Sequence, residues 1–176
     1  MASTPGRLLR AQLDRLARSW SRNGIPTRSE LVSLFREMMD SRASSGSPGL
    51  WDPPPLMITA TLDDGWGHGI EVIELCAKAA GLRVVSMGLL QAPDSIIAKC
   101  RELSPDLLGL TVLQLDSEPD LAVIREHLPP AVRVVAGGPP FQIDSEFAAR
   151  AGVDFAARHV LDFLQFLLAF RNPCTQ

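Results

Sequence analysis

No apolar run of about eighteen residues occurs in the sequence, so nothing in it reads as a membrane-spanning helix. Cysteine is scarce: three residues, widely spaced and odd in number, build neither a disulfide framework nor a zinc ribbon. That scarcity fits a reduced, cytoplasmic setting. The opening segment, with Arg7 and Arg10 among its first residues, lacks the apolar core of a signal peptide. Lysine is scarcer still, with Lys78 and Lys99 alone. Ser-His-Asp, H-E-x-x-H and Walker patterns are all missing, and no catalytic residue is nominated. What remains is an ordinary globular composition, 46% hydrophobic and 21% charged over 176 residues. That is enough for one core and a small appendage, and it argues against disorder.

Charge divides the chain. Residues 1–42 hold eight arginines against four acids, and the remainder nine basic residues against sixteen acids. A basic arm without interleaved aromatics argues against nucleic acid and for a docked or solvated helical face. Leu9, Leu13, Leu16 and Trp20 form one helical stripe, which Asn23-Gly24 should end. Thr27 and Glu30 have capping-box spacing before a second amphipathic helix carrying Leu31, Leu34, Phe35, Met38 and Met39. The Ser-, Gly- and Pro-rich stretch 43–55 reads as a linker, leaving 56–176 as the main domain. Stripes this apolar must be buried. The linker is long enough to bring the arm over the ligand edge as a partial cap, with Met38, Met39 or Trp51 nearest the ligand.

After the linker, strands and helices alternate. Strands are expected at 56–61, 82–87, 106–113, 131–136 and 153–156, with helices near 69–80, 94–103, 121–128 and 161–170. Five strands joined by helical crossovers predict an α/β, doubly wound parallel sheet. Ligands of such sheets bind at the carboxyl ends of the strands. A dinucleotide site does not fit, because Gly65-Trp66-Gly67-His68-Gly69 spaces its glycines wrongly and Ser86 stands where an acid belongs. A phospho-receiver could use Asp63-Asp64 with Asp116, but the loop Gly137-Gly138-Pro139-Pro140 lacks the cation needed to grip a phosphoryl group.

A third pattern is met by Asp64-Gly65-Trp66-Gly67-His68-Gly69, then Thr111-Val112-Leu113, then Gly137-Gly138. Positions 70 to 110 separate the first two groups, and Ala151-Gly152-Val153-Asp154 follows the third. In order and spacing this resembles the cobalamin-binding domain of corrinoid proteins, methionine synthase and the mutases, over about residues 56–170. The family's D-x-H-x-x-G, S-x-L and G-G motifs carry the likeness. The resemblance implies a flavodoxin-like, cobalamin-binding fold, and cobalamin or a related corrinoid, with its cobalt, as cofactor. Haem and an empty fold stand as alternatives. It also implies a slot for the nucleotide tail, with glycines 137 and 138 clearing a path and the Thr111 hydroxyl meeting a buried polar atom. Ser86 and Gly88, at the end of the second strand, could line the same slot.

One position departs from the family. Where its histidine gives a nitrogen to cobalt, this chain has Trp66, and indole has no free lone pair. Cobalt then keeps its own base or water, or His68 substitutes as ligand, or the domain binds something else. Trp66 could instead lie flat against the macrocycle. His127 and His159 read as helix-end residues and Cys76 and Cys100 as small apolar ones. The resemblance points to a methyl carrier or cofactor-binding subunit serving a methyltransferase partner, not a complete enzyme. Its rival is a cobalamin- or tetrapyrrole-responsive regulator acting on a partner protein, and a degenerate domain with only protein contacts is the third reading.

Overall fold

The computed structural model describes residues 4–65 and 68–171. Two helices come first, α1 (Thr4–Asn23) and α2 (Arg28–Ser45). They are followed by β1 (Leu56–Thr61), α3 (His68–Ala80), β2 (Arg83–Ser86), α4 (Pro93–Leu103) and β3 (Leu107–Thr111). A 3-10 turn at Leu115–Ser117 leads into α5 (Glu118–His127), β4 (Arg133–Gly137), α6 (Pro140–Ile143), α7 (Phe147–Arg150), β5 (Phe155–Ala156) and α8 (Val160–Ala169). All four strand pairings are parallel, in the order β2-β1-β3-β4-β5. The doubly wound sheet expected from the alternating pattern is therefore present.

The helix ends follow their sequence signals. Gly24 takes φ +91° and its N–H returns to the Trp20 carbonyl, closing α1. Thr27 and Glu30 form the reciprocal capping box: the Thr27 N–H donates to Glu30 Oε2 at 2.8 Å, and the Glu30 N–H to Thr27 Oγ1 at 3.4 Å. The Thr27 hydroxyl, which donates to Oε2 at 2.7 Å, and then the Thr27 N–H hold the Glu30 carboxyl below its usual range. Two elements were not expected from sequence. Pro140 serves as the first residue of α6, where its missing N–H costs nothing, so a stretch that reads as a loop turns helical. Helix α7 follows it.

Alternation along the strands sorts the core into two clusters. Ile58, Ala60, Leu108, Leu110, Val134 and Ala136 face α4, α5 and α7, meeting Ile96, Cys100, Leu121, Ile124 and Phe147. Met57, Leu107 and Val135 face α3 and α8. The second cluster continues outward through Cys76, Ala77, Phe163, Leu164 and Leu167 into Leu13, Trp20, Leu31, Phe35 and Met38 of the first two helices. α8 thus has apolar residues toward both the sheet and the helical hairpin, which is why its sequence is apolar nearly all round.

Of the hairpin, Ile25 and Leu31 reach the cavity at the carboxyl edge, whereas Met38, Met39 and Trp51 do not line it. The hairpin lies flat on α3 and α8 because those helices offer the apolar outer face its stripes need. Met38 is 7% exposed within that packing and Trp51 is 8% exposed. The Trp51 indole N–H donates to the carbonyl of Phe170, just past the end of α8, at 3.2 Å. Arg28 and Arg36 pair with Glu71 on α3, and Arg10 donates to the Leu168 carbonyl at 2.8 Å. Gly49 and Gly81 cross so closely that a Cβ on Gly49 would lie 2.5 Å from the Gly81 Cα. Among the described residues no helix is long and apolar enough to cross a membrane.

Candidate functional site

The register of the three central strands builds a site from what their side chains omit. On the α3/α8 face, one row across the sheet is Thr59, Gly109, Val135, and the next is Thr61, Thr111, Gly137. Small residues in both rows leave the space between sheet, α3 and α8 incompletely filled. The result is a cavity of about 550 Å³, running from Met57 to Gly65, Leu113 and Pro139 at the carboxyl edge. Val72, Ile73, Val160 and Phe163 supply its helical walls, and Ile25 and Leu31 of the hairpin complete it. Its size and largely apolar walls suit a drug-sized organic ligand.

Its polar groups are few. The Thr59 hydroxyl donates to Glu74 Oε1 on α3 at 2.6 Å. Thr61, 1% exposed, has a buried Oγ1 with no hydrogen-bond partner among the described residues. Thr111 lines the cavity at the adjacent strand end. At the last strand's exit, His159 lines the cavity while its Nδ1 accepts from the Asp162 N–H at 3.2 Å, capping α8.

A buried carboxylate fixes the mouth. Asp63 is 9% exposed, and its Oδ2 accepts from the Leu113 N–H at 2.6 Å while Oδ1 accepts from the Ser117 hydroxyl at 3.3 Å. The loops after β1 and β3 are thereby tied together, and Leu113 packs on Gly65 where a Cβ would come within 2.1 Å of its Cδ1.

Of the residues nominated from sequence, Gly65, Gly69, Thr111, Leu113, Gly137 and Gly138 line this cavity. Asp64 is exposed beside it, on the loop that follows β1. Trp66 and Gly67 lie outside the described residues. His68 opens α3, but its side chain is likewise outside them, and so is any ligand role for it.

Ser86 and Gly88 are not among the residues that line this cavity. β2 is the sheet's edge strand, where Ser86 pairs with Thr59 and the Gly88 carbonyl accepts from the Thr61 N–H at 3.0 Å. The glycines at 137 and 138 answer first to the protein itself. A Cβ on Gly138, which has φ +129°, would lie 1.8 Å from the Val112 carbonyl oxygen, and one on Gly137 would lie 2.5 Å from that of Ala157. Sequence reading missed Met57, Thr59, Thr61 and Gly109. The alternation Met57-x-Thr59-x-Thr61 was the available signal, two hydroxyls on one face of an otherwise apolar strand.

Among the described residues no three His, Cys, Asp or Glu side chains converge to hold a metal ion. The B12 binding domain model aligns with residues 56–160, spanning β1 through the first residue of α8 and every strand end around the cavity.

The chain belongs to the B12 binding domain family. Cobalamin or a related corrinoid is accordingly its cofactor. Ethylmalonyl-CoA mutase of Methylorubrum extorquens is 33% identical over 93 residues, which are 51% of this chain and 14% of that protein. This B12 binding domain chain thus spans a small fraction of that relative. Among solved structures, a cobalamin-binding protein from Desulfitobacterium hafniense has a TM-score of 0.79 at 16% identity, covering 96% of this chain and 83% of that one. The monomethylamine corrinoid protein of Methanosarcina barkeri has a TM-score of 0.61 at 15% identity, covering 92% and 79%. The methanol:cobalamin methyltransferase complex of the same organism has a TM-score of 0.66 at 12% identity, covering 96% and 67%. At these identities the structural likeness establishes the shared fold.

Two features of the lining bear on a corrinoid tail. Gly109 has no side chain, and the flexible end of Met57 lies over it, where a Cβ would come 2.3 Å from Met57 Cε. The Thr61 hydroxyl is a buried polar atom awaiting a partner.

Proposed function

We propose that this chain is a cofactor-binding subunit that takes the corrinoid's nucleotide tail into the cavity and presents the ring at the carboxyl edge to a methyltransferase partner. The cavity opening among the carboxyl ends of β1, β3 and β4 carries this reading. Bound there, the corrinoid supplies a cobalt that accepts and gives up a methyl group. The chain's own residues would do the holding. Thr111 offers its hydroxyl to the tail base, Gly109 lets the flat base lie against the sheet, and Val72, Val135 and Phe163 exclude water from it. Leu113 and Gly65, locked by Asp63, shape the entrance, and Asp64 stands exposed beside it. The two Methanosarcina barkeri structures, a corrinoid protein and a methyltransferase complex, support the methyl-transfer setting.

A regulatory reading is favoured by one residue. Trp66 occupies the position where the family places its cobalt-binding imidazole, and an indole cannot ligate through its nitrogen. A chain that captures a corrinoid without gripping its cobalt serves as well for sensing as for carrying.

Mixing the purified chain with hydroxocobalamin, followed by gel filtration and an absorption spectrum, tests the common premise. Retained corrinoid colour at one equivalent is expected, and a colourless protein peak overturns both readings. Methyl transfer from the methylated, protein-bound cofactor to an acceptor methyltransferase then supports the carrier, and its failure with a loaded protein supports the regulator.

A further inference from the structure

The cavity floor carries two hydroxyls where a tail base with one free nitrogen needs one. Thr61 and Thr111 are register partners on β1 and β3, which sets them on neighbouring strands about 4.8 Å apart. Both line the cavity. The next hydroxyl inward, on Thr59, is already committed to Glu74. Thr61 is not, although its Oγ1 is buried in a strand that is buried throughout. A buried hydroxyl is costly unless something pairs with it, and among the described residues nothing pairs with this one.

We infer that Thr61, acting beside Thr111, makes the slot selective for a corrinoid whose tail ends in a purine over one whose tail ends in a benzimidazole. This rests on the assignment of the cavity to the tail. A benzimidazole joined to its sugar through one ring nitrogen has a single nitrogen left, enough for one of the two hydroxyls. The rest of its edge is carbon, so Thr61 stays desolvated and unpaired. A purine has a second ring nitrogen beside the first, across the ring fusion, and can accept from both threonines at once. Discrimination of this kind is strong because the wrong ligand leaves a buried polar group of the protein unmatched.

The test compares three probes on the full chain by equilibrium absorbance titration: cobinamide, which has no nucleotide tail, cobalamin with its dimethylbenzimidazole, and an adenine-tailed cobamide. The expected order is adenine-tailed cobamide tighter than cobalamin by about tenfold, the scale of one hydrogen bond. Thr61→Val keeps the side chain's shape and removes the hydroxyl, and should bring the two tailed ligands within about twofold of each other. Thr61→Ser should restore the preference. Near-equal binding of the two by the unmodified chain overturns the inference without need of any variant. So does a preference that survives in folded Thr61→Val, since it would then arise from the purine's easier release from cobalt. Cobinamide binding as tightly as both tailed ligands removes the tail slot itself, a different failure that falls on the proposed function.

Discussion

The two faces of one sheet are built from alternate residues of the same strands, yet one is filled and the other hollow. Toward α4 and α5 the central strands present Ile58, Ala60, Leu108, Leu110, Val134 and Ala136, all packed into a continuous core. Toward α3 and α8 the same segments present Thr59, Thr61, Gly109, Thr111 and Gly137, and a 550 Å³ cavity results. The difference is one of side-chain volume at matched register, since both faces share the same backbone ladder. The hollow face is also the one that carries an extra layer, the α1–α2 hairpin. A sheet face that forgoes its own side-chain packing gains burial from helices placed farther out.

The largest effect should come where the hollow face meets its rim. Gly138→Val places a Cβ against the Val112 carbonyl in a backbone conformation that β-branched residues avoid. It should cost about 4 kcal/mol or more, read by urea denaturation, and so block the site by unfolding it. A stable Gly138→Val protein would show the rim to be freer than its geometry implies. On the filled face, Leu108→Ala removes a fully buried side chain and should cost about 3 kcal/mol while leaving corrinoid affinity unchanged in the folded protein. Gly109→Ala is the mirror experiment on the neighbouring residue. Its Cβ pushes aside the flexible end of Met57, so stability should change by no more than about 1 kcal/mol, yet corrinoid affinity should fall at least about tenfold because the displaced methyl takes space from the cavity. Equal ligand effects at positions 108 and 109 would abolish the distinction between the faces.

The smallest effect concerns acid. On the filled side, Arg150 of α7 donates to Glu118 at 2.7 Å and Asp144 at 2.6 Å, and holds both carboxyls below their usual range. Depressed values mean that this tie is fully present above the ordinary carboxylate range near pH 4 and is lost as pH falls through the lower folded values. Amide exchange in residues 140–150, corrected for its intrinsic pH dependence, should therefore accelerate on acidification more than that around the cavity. Both groups remain partly open to water, so the change in global stability should be minor.

Much of this fold is legible because its signals are local. Strand β1 is an apolar run bounded by Pro55 and Asp63, and Thr27 with Glu30 announces α2 by spacing alone. The strand-end glycines were legible as glycines, but their reason was not. Which carbonyl crowds Gly138 depends on β3 lying beside β4, information carried by sheet order and not by any neighbouring residue. Gly109 went unnoticed for the same cause, since a glycine inside a strand declares its purpose only when Thr59 and Val135 are known to flank it. Ser86 and Gly88 differ in the opposite sense. They end a strand as Thr111 does, but on a strand at the sheet's edge.

Ile25 and Leu31 belong to the hairpin and to the cavity wall at once. Whatever free energy a ligand gains from touching them is shared with the docking of the hairpin on α3 and α8, and linkage makes the coupling reciprocal. With the ligand seated as proposed, the first two helices would report occupancy. Loading the slot should raise the protection of their amides, and any partner that peels them away should loosen the cofactor by the same factor.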